Sequence, residues 1–353
     1  MSWAVVATII YGVLIGLVTI NVLYLRRHRR PVVAYDGPLV SILIPARNEG
    51  PNLRRLLPTL LAQRYPRFEV VVYDDDSEDD TAAVAGGTGD DRVRLVRGSG
   101  PPPGWIGKVH ALFRATRVIR GEVLLFLDAD TELRHPDALG HLMGTFLRLP
   151  APRVMTGLPR LSGGGGILVG MIPFSLFTLF PLPLASVGRW PVLGILNGQC
   201  WLIDRATYFA HEPHRTHPDE ILEDIRIGRY LKRCGAAPHL RDLQQDVAVW
   251  MYGDIREAWR GFRKNAYLIA GGHPVAVLVF GTGYVLTCIA LPVMTPVALA
   301  GLYVTKGIAD RFSGFPWWIT MLTPIAVMMS FLLLVDSTLT HWRGRVQWKG
   351  RRV

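Results

Sequence analysis

The chain of 353 residues carries 39 Lys and Arg against 28 Asp and Glu, a net charge of +11, and is 50% hydrophobic but only 19% charged. Its apolar content is gathered into a few long runs, as in a soluble catalytic part attached to membrane segments. Three scattered cysteines, Cys200, Cys234 and Cys288, indicate neither a disulfide framework nor a zinc site.

The first predicted element runs from Ala4 to Leu25, an uncharged stretch long enough to span a bilayer, followed at once by Arg26-Arg27-His28-Arg29-Arg30. A cleaved leader would carry its basic residues first, so the reversed order reads as an anchor. Two further spans are predicted, Val275 to Tyr303, with Pro292 and Pro296 inside it, and Trp317 to Val335. Lys306, Asp310 and Arg311 place a loop from Thr305 to Phe315 between them, and the tail from Arg343 to Arg352 is basic again. Basic flanks after the first and third spans put the N-terminus outside the cell membrane, and the middle region and tail in the cytoplasm. The division that follows is an anchor at residues 1–25, a cytoplasmic catalytic domain at 26–274, two transmembrane helices at 275–338 and a basic tail at 339–353. The positive charge reads as topology and contact with anionic lipid. A nucleic-acid partner is not expected, because no basic motif interleaved with aromatics is present.

In the middle region, Leu39 to Ile44 reads as a strand ending at Pro45-Ala46-Arg47-Asn48-Glu49, and Leu53, Leu56, Leu57, Leu60 and Leu61 then recur at helical spacing until Tyr65-Pro66. A second strand, Glu69 to Tyr73, leads to Asp74-Asp75-Asp76, and Ser77-Glu78-Asp79-Asp80-Thr81 opens a second helix. A third strand is expected over Val93 to Val96, a helix over Lys108 to Ile119, and a buried strand over Val123 to Leu127 that delivers Asp128-Ala129-Asp130. The alternation implies a parallel sheet of a nucleotide-binding α/β fold, and such sheets bind ligands at the strand ends. Carboxylates gathered there repel one another, and a divalent cation holding a diphosphate offsets the repulsion. No GxGxxG, Walker or GxSxG motif is present, which removes support for dehydrogenase, ATPase and serine-hydrolase readings.

Later stretches are less regular. Gly163 to Gly166 reads as a flexible hinge. The apolar run over about 166–187 is broken by Pro173, Pro181 and Pro183 and rich in Phe174, Phe177 and Phe180; it reads as interfacial or re-entrant, with a buried hairpin as the alternative. Trp190 and Trp201 are expected to mark the membrane boundary. His211, Glu212, His214 and His217 match no metal-ligand spacing and read as a mobile polar loop. Glu223-Asp224, preceded by Ile221-Leu222 and followed by Ile225, Ile227 and Leu231, opens a helix and offers a general base at Asp224. The alternative is an ordinary acidic first turn favoured by the helix dipole.

Taken in order, Pro45-Ala46-Arg47-Asn48-Glu49, Tyr73-Asp74-Asp75-Asp76-Ser77 with Asp79 and Thr81, Asp128-Ala129-Asp130 and Glu223-Asp224 resemble the signature of family 2 glycosyltransferases. That resemblance implies the GT-A nucleotide-diphospho-sugar transferase fold, an α/β class, here with one N-terminal and two C-terminal transmembrane helices. Gly104-Trp105-Ile106-Gly107-Lys108 with His110-Ala111, Trp259-Arg260-Gly261-Phe262-Arg263-Lys264-Asn265 and Val346-Gln347-Trp348-Lys349-Gly350-Arg351 are similar to membrane glycosyltransferases of the carotenoid, diaponeurosporenoate-type branch. Hopanoid-associated glycosyltransferases share several of these features.

The activity implied is inverting, metal-dependent transfer of a single sugar from a nucleotide sugar, UDP-linked, to a membrane lipid such as a carotenoid or other terpenoid. Polyprenyl-phosphate, hopanoid and glycerolipid transfer are the enzymatic alternatives, and a catalytically silent membrane scaffold is the non-enzymatic one. By the same resemblance Pro45, Ala46, Arg47 and Glu49 line the nucleotide-sugar site, and Asp75 accepts a hydrogen bond from the uracil ring. Asp130 coordinates Mg2+ or Mn2+, and Asp128 contacts the ribose or the metal. Lys108 either adds charge to the phosphates or is a solvated lysine at a helix start. Asp224 is the base with Glu223 beside it, and Trp259 and Trp201 lie on the acceptor side. Asp76 and Asp80 stand where the family carries glycines, so the turn geometry is expected to differ. The QxxRW box of processive synthases is absent, with Trp259 as its remnant, which argues against polymer synthesis.

Overall fold

A computed structural model describes residues 2–29, 32–187, 190–348 and 351–352. Arg30 of the first basic block and Lys349 and Gly350 of the tail motif lie outside the described residues. The chain folds as two units: residues 25–160 and 184–249 form one, and residues 1–24, 161–183 and 250–353 form the other. The strands of the two larger sheets are β1 (Val40–Ala46), β2 (Phe68–Asp74), β3 (Val93–Arg97), β4 (Val123–Leu127), β5 (Thr131–Leu133), β6 (Val154–Leu158), β7 (Arg160–Gly163), β8 (Cys200–Asp204), β9 (His239–Asp242) and β10 (Val247–Tyr252).

A seven-stranded sheet in the order β3-β2-β1-β4-β8-β6-β9 organises the first unit. Its β3-β2-β1-β4 half is parallel, as the alternation of strands and helices requires. The other half, which that alternation does not reach, is mixed: β8 runs antiparallel to both β4 and β6, and β6 pairs parallel with β9. The chain reaches β8 through a long excursion rather than a βα crossover, so the rule that forces parallel neighbours does not act on it. Alternate residues of the central strands face opposite layers. Ile42 and Ile44 pack with Leu53, Leu57 and Phe146 on one face, while Leu43, Leu124 and Phe126 pack with Leu112, Ile227 and Leu231 on the other. Burial on both faces explains why these strands read as unbroken apolar runs.

Two expectations fail inside this packing. Trp201, expected at the membrane boundary and on the acceptor side, is 1% exposed on β8 and stacks on Phe126 with ring centroids 4.2 Å apart. A large ring on a strand covered on both faces is core packing. The segment around His214 is not a mobile loop but two short helices, Arg205–His211 and Pro213–Thr216. His214 is buried, its ring 5.1 Å from that of Phe126 and its Nδ1 2.9 Å from the Tyr208 hydroxyl. Burial, with the Lys108 charge nearby, pulls its pKa down to about 3, so it is neutral there.

The second unit holds three helices long and apolar enough to cross a membrane, Trp3–Arg27, Pro274–Met294 and Thr323–Trp342. The span predicted over Val275 to Tyr303 stops at Met294. Thr295 breaks it and caps the next helix, Pro296–Ser313, by accepting a hydrogen bond from the Ala298 N–H at 3.1 Å. The loop expected over Thr305 to Phe315 is therefore mostly helix. Lys306 and Asp310 stand one turn apart as an ion pair with side chains 0% and 1% exposed, and Thr320 donates to Asp310 Oδ2 at 2.8 Å. Pairing at this spacing lets the charges be buried where the sequence reading put them in water.

The apolar run over about 166–187 forms helices Gly166–Val169, Met171–Leu179 and Leu182–Ala185. Asn21 of the first helix ties down the stretch within its own unit: its Nδ2 donates to the carbonyls of Phe177 at 2.9 Å and Phe180 at 2.8 Å, and its Oδ1 accepts from the Leu182 N–H at 2.9 Å. The glycine run is not a hinge. A Cβ at Gly164 would lie 1.9 Å from the Gly253 carbonyl oxygen and one at Gly165 2.6 Å from Ala258 Cβ, so the facing segment leaves no room for a side chain at either position. Truncating Trp201 to Ala should cost about 3–5 kcal/mol of stability, read as a lower thermal midpoint of the detergent-solubilised protein. A variant with an unchanged midpoint and altered acceptor affinity would return Trp201 to the acceptor side.

Candidate active site

The site lies in the sheet-bearing unit, at the C-terminal ends of β1, β2 and β4. The loops after β1 and β2 are laced together. Arg47 Nη1 donates to the carbonyls of Asp75 and Asp76, each at 2.8 Å, Glu49 N–H donates to Thr81 Oγ1 at 2.7 Å, and Glu78 N–H donates to Asn48 Oδ1 at 2.9 Å. Asn48 and Asp76 both adopt left-handed backbone, φ 53° and 62°. Asp and Asn tolerate that region better than most residues. Asp76 thus takes up a conformation that glycine would accept freely, and the difference expected from replacing a glycine there is not a loss of the turn. Asp75 is 2% exposed at the end of this laced pair of loops, and Pro45 and Ala46 form the last residues of β1 beneath it.

Asp128 and Asp130 follow β4 as expected. Lys108, in the first turn of helix Gly107–Ala115, sets its Nζ 2.8 Å from Asp128 Oδ1 and 3.1 Å from Glu223 Oε1. It is not a solvated lysine: burial lowers its pKa, but Asp128 and Glu223 outweigh that and hold it above the usual lysine range. Asp130 is pushed up to about 7, by burial first and then by the charges of Asp128 and Glu49. Its Oδ1 is buried without a hydrogen-bond partner. Glu223 and Asp224 open helix Glu223–Arg233, where Asp224 Oδ2 accepts from the Gly198 N–H at 3.2 Å and Oδ1 from the Ile225 N–H at 2.8 Å. Burial and the neighbouring Glu223 push Asp224 up to about 6.

An all-oxygen set with one buried, unpaired carboxylate oxygen and mutual repulsion fits a hard divalent cation such as Mg2+ or Mn2+. Asp130 and Asp128 are the residues that would hold it. Sequence reasoning missed Gly198. A Cβ there would lie 3.2 Å from Asp224 Cβ and 3.4 Å from both Glu223 Oε1 and Lys108 Nζ, so a side chain at this position would crowd the carboxylates and the ammonium. Its signal is the polar Asn197-Gly198-Gln199 at the mouth of an apolar strand, where Asn197 Nδ2 donates to the Gly157 carbonyl at 3.0 Å.

Trp259 lies in the other unit, on helix Ile255–Arg263, and its Nε1 donates to Asp336 Oδ2 at 2.8 Å. A further cluster unite His135, His141 and Asp246, with Asp246 Oδ1 3.1 Å from His135 Nε2 and 2.6 Å from His141 Nδ1. Since the Asp137 N–H donates to His135 Nδ1 at 3.3 Å, the His135 proton sits on Nε2 and faces Asp246, which makes the cluster a hydrogen-bonded brace.

Residues 41–206 match the family model described as Glycosyl transferase family 2. A 4,4'-diaponeurosporenoate glycosyltransferase of Staphylococcus haemolyticus is 28% identical over 227 residues, 60% of this chain and 58% of that protein. The protein of the same name from Staphylococcus aureus (strain USA300) is 25% identical over 361 residues, 93% of this chain and 92% of that protein. Among solved structures, mannosyltransferase PcManGT from Pyrobaculum calidifontis, in complex with GDP-Man and Mn2+, aligns with a TM-score of 0.57 at 19% identity, covering 97% of this chain and 99% of that one. The fold is therefore of the GT-A type, as the sequence resemblance implies.

Asp130 supplies a test of the electrostatics. Its folded pKa of about 7 lies above the ordinary 3.8, so its contribution to stability is full below the ordinary value and is lost as pH rises through about 7. In chelator, Asp130→Asn should raise the thermal stability at pH 8 by about 1 kcal/mol or more and leave it nearly unchanged at pH 4. A variant no more stable than wild type at pH 8 contradicts the repulsion.

Proposed function

We propose that this chain, a glycosyltransferase by its family 2 domain at residues 41–206, moves a single sugar from a nucleotide sugar, UDP-linked, to a membrane lipid of the carotenoid or terpenoid class, with inversion. One observation carries the reading: Lys108 draws Asp128, at the end of β4, and Glu223, beside Asp224, to within 3.1 Å of one ammonium. Groups suited to a donor diphosphate and a group suited to an acceptor proton thus share one site. The acceptor class is supported by the Staphylococcus aureus relative, which matches over 93% of this chain.

In this reading Pro45, Ala46, Arg47, Glu49 and Asp75 bind the nucleotide, with Arg47 acting through the backbone of Asp75 and Asp76 that it holds. Asp130 and Asp128 would hold a divalent cation, which would supply charge stabilisation to the departing nucleoside diphosphate. Asp224 accepts the proton of an acceptor hydroxyl as that oxygen attacks the anomeric carbon from the face opposite the leaving group. The Gly198 and Ile225 N–H groups occupy one lone pair on each Asp224 oxygen and keep the carboxylate oriented. With its pKa raised to about 6, Asp224 is ionised at neutral pH yet more basic than an ordinary aspartate.

Membranes given labelled nucleotide sugars, with the product lipid identified by mass spectrometry, should yield a labelled terpenoid. Label confined to polyprenyl phosphate or glycerolipid would replace the acceptor assignment. Single-turnover transfer to an alcohol should fall as pH drops through about 6, and Asp224→Asn should lower it roughly 10²–10⁴-fold with donor binding kept. Because a carboxylic acid is already ionised at neutral pH, the same substitution should cost far less on an acid acceptor. Equal rates for variant and wild type on the alcohol would remove Asp224 from the base role.

The arrangement we propose in the membrane has the catalytic unit in the cytoplasm and the N-terminus outside, from the basic flanks. In a Cys234→Ser background, a membrane-impermeant thiol reagent applied to intact cells should label Ser2→Cys and spare Ser99→Cys. The reverse pattern overturns the orientation.

A further inference from the structure

Lys108 has more to do than add charge. Its side chain is 19% exposed, and its ammonium lies between carboxylates that come from separate stretches of chain, Asp128 at 2.8 Å and Glu223 at 3.1 Å. Gly198 closes a third side, since a Cβ there would come within 3.4 Å of Nζ. An ammonium has three protons and no acceptor, and two of its protons are directed at these carboxylates. A lysine whose task was to meet a phosphate would be aimed at open space, whereas this one is held by the acids on either side. Asp128, Glu223 and Asp224 also repel one another, and Lys108 is the cation that pairs with the first two among the described residues.

We infer that Lys108 is a positioning residue: its ammonium ties the donor-side Asp128 to the first turn of helix Glu223–Arg233, and so sets where Asp224 stands relative to the sugar donor. This rests on the reading of Asp224 as the base. Without the tie, the helix start is driven from β4 by like charge, and a displacement of about 1 Å at reacting groups costs on the order of 10²-fold in rate. Nucleotide binding, which uses the laced loops after β1 and β2, is left in place.

The test uses the full chain in lipid nanodiscs, with UDP and Mn2+ as the binding probe and single-turnover sugar transfer at saturating donor as the rate probe. Lys108→Met should lower transfer about 10²-fold while the UDP affinity at saturating Mn2+ changes by less than about threefold, and Lys108→Arg, which keeps the charge, should recover at least about tenfold of the loss. Glu223→Gln breaks the same tie from its other end, so the Lys108→Met, Glu223→Gln double variant should be scarcely slower than the worse single variant. If Lys108→Met does not fold, Lys108→Arg and Glu223→Gln carry the test, with Glu223→Gln expected to slow transfer and spare UDP binding. A tenfold or greater loss of UDP affinity with near wild-type transfer at saturation would make Lys108 a phosphate ligand and overturn the inference, as would strictly additive losses. Full activity of Asp224→Asn would instead overturn the base reading on which this rests.

Discussion

Repulsion among carboxylates is the constraint around which the candidate site of the sheet-bearing unit is arranged. Asp128 and Asp130 leave β4 together, Glu49 adds its charge to theirs, and Glu223 and Asp224 arrive on a separate helix. Neutral packing could not hold such a set. One ammonium, at Lys108, meets the nearest oxygens of Asp128 and Glu223, and N–H groups of Gly198 and Ile225 meet those of Asp224. Asp130 keeps one buried oxygen unmatched. The site is therefore incompletely neutralised by the protein itself, a deficit that a divalent cation would fill.

The proposed nucleotide side is built differently, around backbone carbonyls held by one guanidinium. Arg47 would be a natural phosphate ligand on an exposed loop, yet it is 9% exposed and donates to two consecutive carbonyls of the neighbouring turn. That turn carries Asp76 in left-handed backbone. The guanidinium stabilises a conformation that a non-glycine residue enters at a cost. Residues that read from sequence as direct contacts can thus act by holding others.

In the helical unit the same physics takes another form. Lys306 and Asp310 are buried as a pair with Thr320, Asn21 satisfies two carbonyls and an N–H of the stretch near Phe180, and Gly163 and Gly164 let backbones touch. Each arrangement puts polar groups where water is absent, and each has its partners supplied.

The strands from β1 to β4, the helices between them and the emergence of Asp128 and Asp130 were legible along the chain, because local apolar runs, breakers and acidic clusters sit within a few residues of one another. The first and last long apolar helices were legible for the same reason, as apolar length needs no partner to be recognised, although the last runs from Thr323 to Trp342 rather than from Trp317 to Val335. What the chain alone left open were features set by residues distant in sequence. Trp201 looked like a boundary tryptophan until Phe126 was stacked on it, His214 like a loop residue until Phe126 and Tyr208 enclosed it, and Lys306 like the marker of a loop until Asp310, itself held by Thr320, paired with it. Gly198 carried no chemistry to notice. Only the fold brings Asp224, Glu223 and Lys108 around it. Periodicity and composition report what each residue does to its own segment, whereas burial, charge pairing and close approach depend on which segments meet, and that was decided by the tertiary structure.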